Sequence, residues 1–240
     1  LIRDHRPYYL KKFDLKFRDW YVEHYLKPHF AYLGKGYTFM KPWHVHLFGS
    51  PITLGACANV IASHDYTIRI TVWPKEKGKG RISIGDYCLI CPGVRISSAD
   101  EITIGDSCML AGMAYITDCD WHDIYDRVTS MGKPEPVRIG NNVWIGDSVI
   151  VCKGVTIGDN SVIGAGSVVV RDVPPNCIAA GNPAKIVKHL EADKPMKTRG
   201  EWFSAPEWLE IQIEDLDRKM LDGNTILDWM RSLLFPVVGD

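Results

Sequence analysis

The chain has 240 residues, 46% of them hydrophobic, and 28 Lys and Arg against 29 Asp and Glu give a formal net charge of −1. So even a balance excludes a global field that would gather nucleic acid or an anionic membrane, and no apolar run of roughly 18 or more residues suggests a membrane span. Seven cysteines, an odd number, and no signal-peptide pattern make a reducing cytoplasm the expected setting.

In chain order, residues 4–30 are rich in aromatics. Leu10, Phe13, Phe17 and Trp20 fall at helical spacing with Lys11, Lys12, Lys16 and Arg18 between them, which predicts an amphipathic helix. Residues 1–44 are expected to be a helical and irregular flank that packs on the central part of the chain, a membrane-surface helix being the alternative. Residues 45–72 have weak strand character, and Pro74 to Gly80 reads as a loop. From Ile82 a six-residue beat sets in at Ile84, Ile90 and Ile96, shifts by two at Ile102 and Ile104, and runs on through Leu110 and Ile116. It stops, then resumes at Ile139, Ile145, Val151, Ile157, Ile163 and Val169. Four residues after each of these stands a small or β-branched residue: Val143, Val149, Val155, Ser161, Ser167 and Val173. A helix repeats near 3.6 residues and a strand at 2. A period of six predicts short strands joined by regular corners, a parallel β-helix over residues 45–190. Ile84-Gly85-Asp86 and Ile104-Gly105-Asp106 recur as Ile145-Gly146-Asp147 and Ile157-Gly158-Asp159. Cys88 and Cys91 form a CxxC with no second pair to complete a zinc site, and Cys88 occupies a small inward slot four after Ile84.

The interruption, residues 117–138, carries Asp118, Asp120, His122, Asp123, Asp126 and Arg127. A long loop inside a regular solenoid is usually functional or disordered, and this one's content favours function. After Val173, Pro174-Pro175 ends the solenoid, and Gly181 to Lys185 is a turn into Ile186-Val187-Lys188. Residues 191–240 read as a helical tail. Ser204 with Glu207 makes a capping box and Pro206 suits an early helical position. Trp208, Ile211, Leu216, Met220 and Leu221 supply an apolar side, Gly223 a stop, and Ile226 to Leu234 a second helix that packs on the subunit or across an oligomer contact.

Residues 82–190 resemble the hexapeptide-repeat acyltransferases, as typified by maltose, galactoside and polysaccharide O-acetyltransferases. The motifs that carry the likeness are Arg138-Ile139-Gly140-Asn141-Asn142-Val143-Trp144-Ile145-Gly146 and Ala180-Gly181-Asn182-Pro183-Ala184-Lys185. The resemblance implies an all-β solenoid, a left-handed parallel β-helix, here with N- and C-terminal helical flanks. It also implies a homotrimer with acetyl-CoA bound in clefts between subunits. The family's catalytic histidine matches His122, a general base that takes a proton from the attacking hydroxyl, since imidazole titrates near neutral pH. Asp118 or Asp120 would orient the ring and stabilise imidazolium. The positions matching the CoA site are Trp144, Asp147, Ala165, Val170, Arg171, Lys185 and Lys188. Arg171, Lys185 and Lys188 supply charge for phosphates, whereas Trp144 is equally suited to wall packing. Cys91 falls where the sugar O-acetyltransferases carry an asparagine near the acceptor, and Arg127 matches an arginine that anchors the loop or an acidic acceptor. His44, His46 and His64 either line the acceptor pocket or serve packing and surface roles.

The expected activity is therefore a CoA-dependent O-acetyltransferase acting on a sugar or nucleotide-sugar hydroxyl in polysaccharide biosynthesis, with no metal. Three alternatives stand beside it. One is an amino-sugar or antibiotic acetyltransferase. Another is a zinc enzyme like γ-carbonic anhydrase using His64 and His122, although that family's paired histidines five apart are absent, position 117 being Thr. The third is a non-catalytic scaffold. Cys119 offers an acyl-enzyme route, or is an ordinary loop thiol.

Overall fold

A computed structural model describes residues 4–128, 131–191, 193–204 and 206–237, with the backbone alone for 206–210. Two compact units are present: Tyr21–Trp202, and the described parts of 1–20 with 203–240.

The larger unit is a left-handed parallel β-helix of three sheets. Its first face stacks Tyr32–Leu33, Ile52–Leu54, Ile82–Ile84, Ile102–Ile104, Val137–Ile139 and Thr156–Ile157. The second stacks Thr38–Met40, Asn59–Ile61, Leu89–Ile90, Met109–Leu110, Trp144–Ile145 and Val162–Ile163, then ends in an antiparallel hairpin of Cys177–Gly181 and Ala184–His189. The third stacks Val45–Phe48, Ile68–Val72, Arg95–Ser98, Tyr115–Thr117, Ile150–Val151 and Val168–Val169. The solenoid thus begins at Tyr32 rather than at 45. Its first coils are regular in space, but their corners differ in length, which hides the beat in the sequence. The loop is also tighter than 117–138, because Thr117 ends one strand and Val137–Ile139 forms the next.

The beat has a direct cause. Ile139, Ile145, Val151, Ile157, Ile163 and Val169 all point into the prism and are at most 3% exposed. Each such aliphatic side chain contributes about 1.5–3 kcal/mol on burial. The second inward slot lies at a corner and admits only small side chains. Where it holds serine, the hydroxyl is satisfied: Ser161 donates to the Pro174 carbonyl at 2.8 Å and Ser167 to that of Gly164 at 2.6 Å. Cys88 and Cys108 fill the same slot and donate to the Gly105 and Gly140 carbonyls. The CxxC is therefore a packing thiol followed by a corner thiol, and all seven cysteines are free.

The Gly-Asp dipeptide builds the corner between the first and second faces. Asp86 Oδ1 accepts the Ala56 N–H at 2.7 Å, Asp106 that of Asp86 at 2.8 Å, Asn141 that of Asp106 at 2.8 Å, and Asp159 that of Asn141 at 2.7 Å. Each carboxylate or amide thus caps a corner amide that no strand pairs. The preceding glycine makes room for it: a Cβ on Gly85 would sit 2.3 Å from Asp106 Oδ1.

The smaller unit contains helices Pro206–Met220 and Ile226–Leu234 and most of helix Tyr8–Tyr21. Tyr8 donates to Glu214 at 2.6 Å and Lys11 pairs with Asp217 at 2.6 Å. The contact therefore runs along the polar side of the first helix. On its expected apolar stripe, Phe13 is 69% and Trp20 45% exposed. Thr225 caps the last helix by accepting the Asp228 N–H. The predicted capping partner Glu207 and the apolar Trp208 have side chains outside the described residues.

Candidate active site

The interrupting loop leaves the corner between the third and first faces. Its neck is stitched shut: Glu135 N–H donates to the Asp118 carbonyl and Gly132 N–H to that of Asp120, both at 2.8 Å. Asp118 is fully buried and accepts from Ser98 Oγ at 2.6 Å, Ala99 N at 2.7 Å and Asp100 N at 2.9 Å. It fastens the loop to the coil before it. Asp120 pairs with Lys153 at 2.5 Å, fastening the loop to the coil after it, and this contact holds the Lys153 ammonium above its ordinary range. Neither carboxylate orients the His122 ring. Both have other partners within this subunit.

Two contacts that the sequence did not announce set the stretch holding His122. Trp121 Nε1 donates to the Tyr115 hydroxyl at 3.0 Å, and the Arg95 guanidinium lies 4.3 Å from the Tyr115 ring centroid. The loop is thereby laid against the third face. His122 itself is exposed, and its ring has no hydrogen-bond partner among the described residues. Beyond it, Asp123 accepts from the Tyr125 and Asp126 amides at 2.9 and 3.0 Å. These bonds, that from Asp126 foremost, hold the Asp123 carboxyl below its ordinary range. Arg127 lies on the same exposed tip. Cys119 is 3% exposed, and burial, followed by Asp118 and Asp120, pushes its thiol up. That is the opposite of what a nucleophilic thiolate needs.

The positions expected to serve CoA fall into separate groups. Trp144, 49% exposed, sits on the second face between Met109 and Val162. Lys185 and Lys188 are on the terminal hairpin of that face, paired with Ala180 and Ile178. Asp147 and Ala165 stack one coil apart at the corner between second and third faces, where the Ala165 amide lies 2.7 Å from the Cβ position of Gly146. Cys91 occupies the same corner higher up, half-buried, and burial pushes its thiol up. Val170 and Arg171 follow the last strand of the third face, at the corner from which the His122 loop springs. The third face therefore separates Asp147 and Ala165 from Arg171 and His122. Arg199 is a structural tie that the sequence did not announce. It donates to the Tyr87 carbonyl at 2.8 Å and to Asn59 Oδ1, strapping the short helix Arg199–Trp202 onto the early coils.

His44 and His64 meet edge to face at 5.6 Å. Burial, then His64, lowers the pKa of His44. Among the described residues, no group of three or more His, Cys, Asp or Glu could hold a metal ion.

Residues 136–171 match the family of bacterial transferase hexapeptide repeats (six repeats). Galactoside O-acetyltransferase of Escherichia coli (strain K12) is 33% identical over 174 residues, covering 70% of this chain and 68% of that protein. The chain belongs to the hexapeptide-repeat transferase family. Among solved structures of this fold, AntD, an N-acyltransferase from Bacillus cereus in complex with dTDP and 3-hydroxybutyryl-CoA, superposes with a TM-score of 0.58 at 18% identity, covering 80% of this chain and 96% of AntD. The matched residues 136–171 cover the last coils of the solenoid, and the loop carrying His122 lies outside them. No helix among the described residues is long and apolar enough to cross a membrane.

Proposed function

We propose that the protein transfers an acetyl group from acetyl-CoA to a hydroxyl of a sugar or nucleotide-linked sugar, with His122 as general base. The observation that carries this reading is the exposed imidazole on a loop pinned at both ends, in a chain one third identical to a galactoside O-acetyltransferase. His122 takes the acceptor's hydroxyl proton as the oxygen attacks the thioester carbon. It returns that proton to the departing thiolate as the carbon–sulfur bond breaks. A backbone N–H holds the intervening oxyanion.

Trp144, Asp147, Ala165, Val170, Arg171, Lys185 and Lys188 form the proposed CoA contacts, with the basic side chains on its phosphates. Because Asp147 and Ala165 stand on a different corner from His122 and Arg171, a site using both groups draws on two subunits. This supports a cyclic trimer whose clefts hold the donor. Cys91 and Arg127 border the acceptor in this arrangement.

The test is CoA release from acetyl-CoA, corrected for hydrolysis, across a panel of sugars and amines. Acceptor-dependent release that falls about 100- to 10,000-fold in His122→Ala, with CoA binding retained, is the expected result. Equal release in both proteins, or no CoA binding at all, overturns the reading.

A further inference from the structure

The outward side of the third face carries a charge arrangement that folding alone does not favour. Arg69 and Arg95 are directly opposed across adjacent coils, in register, with His46 paired to Arg69 on the other side. Both arginines are exposed, and neither has a carboxylate at ion-pair distance among the described residues. Like charges directly opposite on neighbouring strands are destabilising. Elsewhere on the coils comparable charges are neutralised, as where Arg81 and Arg138 share Glu101. The two side chains leave the same side of neighbouring strands, whose spacing is about 4.8 Å, and a guanidinium fork is suited to an oxyanion.

The surroundings say which oxyanion-bearing partner this is. Arg95 lies against the Tyr115 ring, and Tyr115 accepts from Trp121, the residue before His122. The arginine pair thus adjoins the proposed catalytic loop. On the same face, Phe48 and Trp73 stack at 4.1 Å and stay 52% and 43% exposed. An exposed aromatic platform beside hydroxyls and cations suits a sugar ring with a charged substituent.

We propose that Arg69 and Arg95 form an oxyanion clamp for the acceptor, so that the acceptor is a sugar bearing a phosphate or carboxylate group rather than a neutral sugar. This rests on the acyltransfer reading above and narrows its substrate class.

The test is titration calorimetry on the full chain with CoA at saturation, so that CoA's own phosphate contacts are filled. The probes are inorganic pyrophosphate, glucuronate and, as neutral control, glucose. Pyrophosphate or glucuronate binding that weakens about tenfold or more in Arg69→Gln and in Arg95→Gln supports the clamp. Arg69→Lys, which keeps the charge and loses the fork, is expected between the two. Tighter pyrophosphate assigns a phosphate-bearing acceptor, and tighter glucuronate a carboxylate. Neither anion binding to wild type, or both binding equally to the glutamine variants, overturns it. CoA binding is measured separately: a chain that binds CoA but neither anion loses the clamp and keeps the acyltransfer reading, while a chain that binds the anions but not CoA does the reverse.

Discussion

The indole N–H of Trp121 donates to the phenolic oxygen of Tyr115 at 3.0 Å, tying the loop that carries His122 to the outer surface of the third face. Tyr115 belongs to a strand of that face, outside the loop. The bond therefore fixes the approach of the residue next to the imidazole. Tyr115→Phe keeps the ring and its Arg95 contact but removes the acceptor. It is expected to lower kcat by about five- to tenfold, the worth of one hydrogen bond of about 1 kcal/mol, with KM for acetyl-CoA unchanged. Steady-state kinetics with a thermal melt check this. An unchanged kcat, or a KM effect alone, excludes the positioning role.

Asp118 distinguishes an architectural carboxylate from a catalytic one. It is buried and serves Ser98, Ala99 and Asp100 at once. Asp118→Ala strands two backbone donors and a hydroxyl without water, which costs about 3 kcal/mol or more. Urea unfolding is expected to show that loss. Were Asp118 instead a partner of the His122 ring, stability would hold and only kcat would fall.

The corner ladder explains the Gly-Asp signature and can be probed at either residue. A Cβ on Gly105 would lie 2.5 Å from Asn141 Oδ1 and 2.7 Å from the Gly140 carbonyl carbon. Gly105→Ala is expected to destabilise the solenoid by about 1–3 kcal/mol through overpacking. Asp106→Asn retains an acceptor for the Asp86 amide, as Asn141 already does one coil on, and is expected to stay within about 0.5 kcal/mol of wild type. Equal losses from the two substitutions would contradict this account.

Legibility in the sequence depends on which positions the fold constrains. Inward residues such as Ile145 and Ile163 must be aliphatic at every coil, so they print a period, and the loop shows as its interruption. Outward residues carry no such constraint. Arg69, Arg95 and Tyr115 become neighbours only through the pairing register across coils, which separates them widely in the chain. Lys153 likewise meets Asp120 only because the loop folds back over the following corner. His122 stood out as a candidate through the family likeness, whereas the contacts of Asp118 and Asp120 with Ser98 and Lys153 are ones that no spacing encodes. The coils from Tyr32 to Val72 were hidden because their corners vary in length while their inward slots, Ile52, Leu54, Ile68 and Ile70, remain as buried as the later ones.

Glu214 gives the smaller unit a defined acid sensitivity. Its carboxylate accepts from Tyr8 at 2.6 Å and Arg218 at 2.9 Å and pairs with Lys12 at 3.2 Å. These contacts, Tyr8 first and then Arg218 and Lys12, hold its pKa down to about 2 from an ordinary 4.5. A carboxyl whose folded pKa is depressed contributes stability that is present above the unfolded value and lost as pH falls toward the folded one. The window is therefore from pH 4.5 down to about 2. Because the helical segments of the larger unit are no longer than five residues, ellipticity at the helical minimum reports mainly on the helices of the smaller one. Wild type is expected to lose helical signal across that window as Tyr8 and Lys12 release Glu214. Glu214→Gln, which keeps a hydrogen-bond acceptor and carries no charge to titrate, is expected to lose less signal between the same limits. Superimposable acid titrations of the two proteins would show that other carboxylates, Asp14 and Asp217 among them, set the acid limit of these helices.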